Sequence, residues 1–322
     1  MIKKFWAWAT ATNTREIITL LTIVLLIRTF GFGLYEVPTT SMETTMLCGE
    51  RFFADKLTPL FKSPKRLDII SFNAPNYTYS TNPVMKFIQE YFWGPVNWTK
   101  RVIGVPGDKI HGVIEDGKPV VYVNGQKLDE PYINKYPLVK MFKDDPAIAI
   151  KRAQQQARSE IARSHIDSRY YPLIVEQIAS SSEYALTRSY DPSKSFEDQP
   201  FYRFADSRIF KDEQGKPLLI GPGTPLPKEH SERHQEGNNY WDGTDEYYVE
   251  LDDHHYWVMG DNRLGSWDSR FWGPLDAHQI RGKILFRIIS RDGTDWLLLD
   301  LLKHPIDFWA RMRWSRFFQC MH

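Results

Sequence analysis

With 322 residues, 42% of them hydrophobic and 14% aromatic, the chain is long and apolar enough for a packed core and about two domains' worth of structure. Its 41 basic and 40 acidic residues nearly cancel and it carries no recognisable nucleic-acid-binding motif, so we expect no nucleic-acid partner. Two cysteines, Cys48 and Cys320, match no zinc-site spacing or disulfide framework. Composition thus excludes a disordered chain and argues against a disulfide-stapled or DNA-binding protein.

A strongly apolar run at residues 17–27 predicts a membrane segment. The run is shorter than the roughly 20 residues that cross a bilayer. It becomes long enough if it extends past Arg28 to Leu34, because an arginine near a helix end can reach the lipid headgroups. No small-residue cleavage site follows, which favours an uncleaved anchor over a cleaved secretory signal. The basic residues ahead of the run predict that residues 1–35 are a cytoplasmic N-terminus and transmembrane anchor, with the remaining chain outside. These residues are Lys3, Lys4 and Arg15.

Residues 36–128 have the pattern of the first part of an antiparallel β domain. Three short stretches bounded by Pro, Gly or Asn and rich in strand-forming residues predict strands. They are residues 51–57, 66–72 and 100–110, the last of which is a strand ended by a Pro-Gly turn. The dipeptide Asn124-Gly125 is a strong signal for a two-residue hairpin between two further strands. An aromatic stretch at residues 84–93 could pack on the body or rest on a bilayer, and we expect it to pack on the body.

Residues 129–245 interrupt this pattern and predict an insertion. Between residues 145 and about 188, Ala and Ile recur at helical spacing with basic residues interspersed, which predicts one helix and then a second over residues 173–186. Residues 190–245 are rich in Pro, Gly, Asp and Asn, and this composition predicts loops over the surface.

Strand patterns return in residues 246–292, the predicted second part of the β domain. They cover residues 246–251, 255–259 and 283–289. The tail, residues 293–322, interleaves cations with aromatic residues, a composition suited to a membrane interface. The predicted fold is mainly β: an antiparallel, barrel-like body with one N-terminal transmembrane helix and an α-containing insertion.

A hydroxyl-rich turn directly after the apolar run contains the first candidate for chemistry, Ser41. Taken alone, such a turn is typical of a loop that hydrogen-bonds its own backbone. Histidine is the usual base for a serine nucleophile, but His254 and His255 are adjacent and would point to opposite faces of a strand. A lysine therefore becomes the candidate base, and no metal or other cofactor is expected.

Several ordered blocks resemble those of the bacterial type I signal peptidases, membrane-anchored serine proteases that remove signal peptides from exported proteins. The first block resembles the family's exit from the anchor and the second its nucleophile block. A short strand block comes next, and a lysine-containing block and a Gly-Asp-rich block follow. These blocks are residues 27–30, 37–42, 67–70, 100–108 and 259–273. The resemblance covers residues 17–125 and 246–290, and no motif in the insertion contributes to it.

Carried over residue by residue, the resemblance implies that Ser41 is the nucleophile and Lys100 the general base. A lysine near its usual pKa of about 10.4 is almost fully protonated at neutral pH, and neutralising it costs about 5 kcal/mol, so this role requires burial. The resemblance also implies that Ser266 orients Lys100 and that Thr39 donates to the oxyanion together with the backbone N–H of Ser41. Asp268 and Arg270 are expected to form a supporting ion pair, and Arg101 to point to the opposite face of its strand, solvated or paired.

The sequence departs from the family pattern at Thr44, where proline is common, and at Leu264 and Gly265, where acidic or amide residues are common. The resemblance implies small residues, typically Ala, at the first and third positions before the cut. Candidate residues for the corresponding pockets are Met42, Ile69 and Ile103.

The expected partners are signal peptides and the lipid bilayer, and the expected location is the bacterial cytoplasmic membrane with the catalytic domain on its outer face. Two alternatives remain at this stage. One is a specialised peptidase of the same superfamily that processes a conjugative pilin or another dedicated substrate. The other is a catalytically silent membrane scaffold.

Overall fold

The computed structural model describes residues 12–164, 166–181, 183–227, 234–293 and 296–321. The strands, in chain order, are β1 (Phe32–Glu36), β2 (Arg51–Asp55), β3 (Ile69–Asn73), β4 (Asn97–Gly104), β5 (Lys109–Glu115), β6 (Lys118–Val123), β7 (Gln126–Lys127), β8 (Leu138–Phe142), β9 (Ala185–Ser189), β10 (Leu219–Ile220), β11 (His234–Glu236), β12 (Asn239–Trp241), β13 (Tyr247–Glu250), β14 (His255–Met259), β15 (Leu275–Asp276) and β16 (Ile280–Ile289). The α-helices are α1 (Thr12–Leu26), α2 (Pro83–Tyr91), α3 (Pro146–Ser164), α4 (Tyr171–Ala179), α5 (Ser269–Trp272), α6 (Leu297–Lys303) and α7 (Pro305–Ala310).

These strands form three antiparallel sheets, which confirms the prediction of a mainly β, antiparallel body. A seven-stranded sheet has the order β1-β2-β16-β3-β4-β14-β15, and a six-stranded sheet has the order β11-β12-β13-β5-β6-β7. A three-stranded sheet, β10-β8-β9, belongs to the predicted insertion. The large sheet therefore joins strands from both ends of the chain, which brings residues near 40, 100 and 260 into one region.

Local patterns explain several of these elements. In β2 the burial alternates, with Phe52 and Ala54 in the core, as expected for a strand with one face on the core. The predicted hairpin forms at Asn124 and Gly125, both of which adopt positive φ, and it joins β6 to β7. Both residues tolerate this left-handed conformation, which is why this dipeptide selects the tight turn.

The aromatic stretch forms α2, whose N-terminus is capped by Asn82 accepting from Val84 N and Met85 N. The expectation that it packs on the body holds only for the C-terminal end of α2, where Glu90 pairs with Arg281 at 2.7 Å and the Tyr91 ring lies 5.6 Å from that of Phe30; no residue of α2 is fully buried. Its side chains Val84 and Phe87 are exposed instead. The pattern of an amphipathic helix does not by itself reveal whether protein covers the apolar face.

The insertion contains α3 and α4, which pack through small side chains such as Ala153 and Ala157. The predicted second helix is wrong beyond Ala179, since residues 185–189 form β9 and pair with β8. Pairing with a strand more than forty residues away overrides the local helical spacing here. Such a pairing has no signature in the local sequence.

The prediction that residues 190–245 only loop over the surface is also wrong. Tyr190, Tyr202 and Phe204 are buried in a cluster with Leu47 and Val139. Aromatic side chains among the turn-forming residues supply this core, which attaches the insertion to the turn that contains Ser41.

The N-terminal helix α1 and the C-terminal tail lie at the ends of the described chain. Within the described residues no helix is both long enough and apolar enough to span a bilayer. The tail folds back onto the large sheet: Arg287 N donates to Gln319 O at 2.8 Å, and Met321 N donates to Leu285 O at 2.8 Å.

Candidate active site

The side chains of Ser41 and Lys100 meet inside the protein. Ser41 lies in the turn between β1 and β2, and Lys100 lies on β4 in the middle of the large sheet. Lys100 Nζ donates to Ser41 Oγ at 2.7 Å, and the two residues are 5% and 7% exposed, respectively. An amine and an alcohol are thus in direct contact and shielded from water.

Burial lowers the pKa of Lys100 to about 8. The carboxylates of Asp268 and Asp261 oppose this shift, and the guanidinium of Arg270 adds to it. With a pKa near 8, holding the amine neutral at pH 7 costs on the order of 1.4 kcal/mol, compared with about 5 kcal/mol for an unperturbed lysine. The site therefore makes a neutral amine accessible at physiological pH.

The turn around Ser41 is held by hydrogen bonds from the loop after β14. Asn262 N donates to Ser41 O at 3.1 Å, and Asn262 Nδ2 donates to Thr40 O at 3.0 Å. The two ends of the segment between β1 and β2 are joined by a hydrogen bond in which Val37 N donates to Glu50 O at 3.0 Å. Because Asn262 bonds backbone oxygens, the position of the Ser41 hydroxyl depends on a loop more than 200 residues further along the chain.

Thr39 Oγ1 lies 3.5 Å from Ser41 Oγ, on the exposed side of the turn. A threonine hydroxyl can rotate to donate toward a charge that develops next to the serine. This position suits a second donor to an oxyanion, with the backbone N–H of Ser41 as the first.

The hydroxyl of Ser266 is buried and makes no hydrogen bond of good geometry. It nevertheless lies near enough to the Asp268 carboxylate to help lower the pKa of that group. Gly260 permits this arrangement, because a Cβ there would overlap both Ser266 Oγ and Ser41 O. The expected hydrogen bond from Ser266 to Lys100 is not formed in this structure.

Asp268 and Arg270 form a buried ion pair, with Arg270 Nε 2.8 Å from Asp268 Oδ1. Arg270 Nη1 also pairs with Asp245 Oδ1 at 2.7 Å, and Arg270 Nη2 donates to Arg263 O at 2.7 Å. Burial alone would raise the pKa of Asp268, but Coulomb attraction to Arg270 and the hydrogen bonds to this carboxylate together lower it. The pair thus keeps a carboxylate ionised near Lys100.

Arg101 points away from Lys100 and is fully buried rather than solvated. Its guanidinium makes two hydrogen bonds to Asp261, at 2.9 and 2.7 Å, and lies 4.0 Å from the ring centroid of Tyr132. Thr45 Oγ1 donates to the same carboxylate at 2.6 Å. Asp261 therefore links β4, the loop after β14 and the Ser41 turn.

A cavity of about 310 Å³ opens beside Ser41 and Lys100. We call it the active-site cavity, and its lining includes Met42, Met46 and Trp98. Of the three candidate pocket residues, only Met42 lines it. Ile69 is buried beneath the Ser41 turn, and Ile103 is buried in a separate core cluster.

Sequence reasoning missed four polar residues that support the site. They are Glu43, Asp245, Asp261 and Asn262. Asp261 and Asn262 lie inside the block at residues 259–273 that carries the resemblance, so the sequence indicates that this segment belongs to the site. Asp261 binds Arg101, which is more than 150 residues away in the sequence, and Asn262 binds Thr40, which is more than 200 residues away. No local sequence pattern identifies such pairs.

Comparison with known proteins adds independent information. The family model for signal peptidases, peptidase S26, matches residues 10–183 and 197–289, which include most of the insertion. The chain is 34% identical over 122 residues to a probable signal peptidase I-2 of Synechocystis sp., covering 37% of this chain and 49% of that protein.

Two further relatives are signal peptidases I. The chain is 24% identical over 297 residues to the one of Buchnera aphidicola subsp. Baizongia pistaciae, covering 85% of this chain and 76% of that protein. It is 32% identical over 121 residues to the one of Bacillus licheniformis, covering 38% of this chain and 54% of that protein. The aligned part thus spans about half the length of the Synechocystis and Bacillus relatives.

Proposed function

Because the chain belongs to the signal peptidase family, peptidase S26, whose model matches more than half of its residues, we propose that it is a serine endopeptidase that removes signal peptides from exported preproteins. The observation that carries the proposal is the buried contact of 2.7 Å between Lys100 Nζ and Ser41 Oγ. A lysine whose pKa is lowered to about 8 by burial can act as the base at neutral pH.

In the proposed reaction, the neutral amine of Lys100 takes the proton from Ser41 Oγ while this oxygen attacks the carbonyl carbon before the cut. The backbone N–H of Ser41 and the hydroxyl of Thr39 stabilise the oxyanion. When the C–N bond breaks, the Lys100 ammonium returns the proton to the leaving amine. Water then attacks the acyl-enzyme, and Lys100 takes its proton before passing it to Ser41 as that ester bond breaks.

The active-site cavity favours substrates with small apolar side chains next to the cut. Its volume of about 310 Å³ and its lining by Met42, Met46 and Trp98 suit a short apolar peptide segment better than a charged one. We therefore propose substrates with Ala at the first and third positions before the cut. Met42 is the candidate for contact with them.

A membrane anchor is part of the proposal. The described helix α1 leaves its apolar side chains exposed, among them Leu20 and Leu21 at 62% each. The chain passes from this helix through one turn into β1, whose end leads to the Ser41 turn. Anchoring by α1 and the turn that follows it in a bacterial cytoplasmic membrane would hold the active-site cavity at the outer surface. Residues 32–34, which the sequence assigned to the anchor, pair with β2 as part of β1 instead. Protease treatment of spheroplasts tests this: we expect digestion of the β domain from outside, and an undigested domain contradicts it.

The activity is tested with the full chain in detergent and a preprotein that carries an Ala-x-Ala site. We expect cleavage after the second Ala and a loss of at least about 10³-fold for Ser41→Ala and Lys100→Ala. Lys109→Ala is the matched control, because Lys109 is exposed and pairs with Glu250 on the other sheet. Parental activity in either dyad variant rules out the proposed mechanism.

The same experiment separates the alternatives. A specialised peptidase would leave the generic preprotein uncut but would cleave its dedicated substrate in a Ser41-dependent manner. A silent scaffold would cleave neither.

A further inference from the structure

A second cavity, of about 500 Å³, lies where the end of α1 meets the large sheet and the segment after α2. Three cationic side chains line it, Arg28, Lys56 and Arg281, and we call it the basic cavity. It adjoins the active-site cavity, since Asn97 lines both.

The basic cavity has more positive than negative charge. Arg281 is paired, with its Nη2 2.7 Å from Glu90 Oε1, and its guanidinium lies 4.7 Å from the ring centroid of Tyr91. Arg28 and Lys56 have no carboxylate within ion-pair distance among the residues that the structure describes. Lys56 Nζ instead donates to the backbone oxygen of Arg28 at 2.8 Å. Two positive charges therefore lie together without a counter-charge.

Two glycines of the large sheet leave room for the side chain of Lys56. Its side chain lies across Gly33 of β1, where an added Cβ would be 2.8 Å from Lys56 Cε. It also passes Gly282 of β16, where an added Cβ would be 3.4 Å from Lys56 Cγ. Burial, together with the charges of Arg28 and Arg281, lowers the pKa of Lys56. Two glycines thus direct a partly buried ammonium group toward a second cation.

Apolar side chains surround the opening of this cavity. Phe92 and Trp93 line it, and Trp93 is 85% exposed. Leu25 of α1 also lines it and is exposed. The exposed apolar residues of α2 immediately precede Phe92 in the chain. A ligand that satisfies both features needs an anionic group for the cations and hydrocarbon for the surrounding surface.

We propose that the basic cavity binds the phosphate group of an anionic phospholipid, with the acyl chains along the exposed side chains of α1 and of Phe92 and Trp93. The inference rests on the proposed placement at a membrane and not on the peptidase activity. Binding there would hold the adjoining active-site cavity at the level of the headgroups, where a membrane-bound preprotein presents its cleavage site.

The test uses the full chain in a neutral detergent, titrated with dihexanoyl phosphatidylglycerol, with dihexanoyl phosphatidylcholine and with inorganic phosphate, and bound molecules are counted by native mass spectrometry. We expect phosphatidylglycerol to bind at least about tenfold more tightly than the other two. Lys56→Gln and Arg28→Gln should each weaken its binding about fivefold. Lys56→Arg should retain it.

Gly33→Ala is the second type of variant, because its Cβ displaces the Lys56 side chain, together with the neighbouring Tyr35 ring, without changing the charge. It should weaken binding as Lys56→Gln does. Lys118→Gln is the matched control: it removes one exposed cation from the six-stranded sheet and should not change the affinity for phosphatidylglycerol.

Equal affinity for phosphatidylcholine, or parental affinity in Lys56→Gln, overturns the proposal. If inorganic phosphate binds as tightly as phosphatidylglycerol, the basic cavity is a site for a free anion, and the proposal of a lipid ligand is overturned. Ser41→Ala should bind phosphatidylglycerol like the parent although it cannot cleave, so the two proposals fail separately.

Discussion

At the scale of single residues, the behaviour of Lys100 follows from the competition between burial and charge. Its amine has lost water, which favours the neutral form, while two nearby carboxylates favour the ammonium. Burial prevails and leaves the pKa at about 8. The carboxylates limit the shift, so the amine of Lys100 keeps enough proton affinity for its proposed role as the base.

The pH profile of processing should report this pKa. The proposed reaction needs neutral Lys100, so kcat/KM should rise with pH and level off above an apparent pKa near 8. Below that value each unit of pH should reduce kcat/KM about tenfold, because the ammonium form is inactive. Initial rates on the Ala-x-Ala preprotein, measured between about pH 6 and 10 with the parent and Lys109→Ala, provide the check. A profile without a limb near 8 in the parent would show that Lys100 is not the base.

At the scale of elements, arginines of the C-terminal tail bind the chain segment that follows Ser41, while the membrane-interface contact that the tail's composition suggests stays a prediction. The cations that predict contact with a membrane interface turn inward: Arg316 Nε lies 2.6 Å from Glu50 Oε1, and Arg316 Nη2 donates to Thr44 O and Thr45 O at 3.1 Å each. Arg287 of β16 binds the other oxygen of Glu50 at 2.9 Å. The tail thus closes over the chain segment that follows Ser41.

We expect Arg316→Ala to lower the free energy of unfolding by about 3 kcal/mol, because Glu50 is fully buried and would lose one of its two cations. Arg169→Ala is the matched control, since Arg169 is 85% exposed in its pair with Asp167 and such pairs contribute at most about 1 kcal/mol. Urea unfolding in detergent, followed by tryptophan fluorescence, measures both changes. Equal midpoints for the two variants would show that the tail does not support this segment.

At the scale of the whole molecule, one buried carboxylate connects the insertion to the Ser41 turn. Glu43 Oε2 accepts from Ser189 N at 2.9 Å and from Ser189 Oγ at 2.7 Å, and Glu43 Oε1 accepts from the hydroxyl of Tyr202. Burial raises the pKa of this carboxyl, and Arg188, whose Nη1 is 3.9 Å away, opposes the rise. Because Glu43 is two residues from Ser41, the insertion is positioned to support the turn.

Glu43→Ala should reduce kcat about tenfold with little change in KM, because the turn loses its support while the active-site cavity keeps its lining. It should also cost about 2–4 kcal/mol of stability, since the donors of Ser189 and Tyr202 lose their acceptor inside the protein. Glu43→Gln retains one acceptor and should recover part of both losses. Glu115→Ala, at a half-buried position of the six-stranded sheet and paired with Lys127, is the control for both measurements. Unchanged kcat in Glu43→Ala would show that the insertion does not position Ser41.

The amino-acid sequence alone is enough to name Ser41 and Lys100 as candidates, to predict an antiparallel β body and to place the hairpin at Asn124. These features depend on local patterns or on the order of short motifs, and both are written along the chain. The three-dimensional fold decides the burial of Lys100 and therefore its pKa. It also decides the pairing of Asp261 with Arg101, and it supplies Glu43 with donors 146 and 159 residues away. The physical reason is that desolvation and charge pairing depend on which atoms surround a group, and those atoms come from segments that only the packing of the sheets brings together.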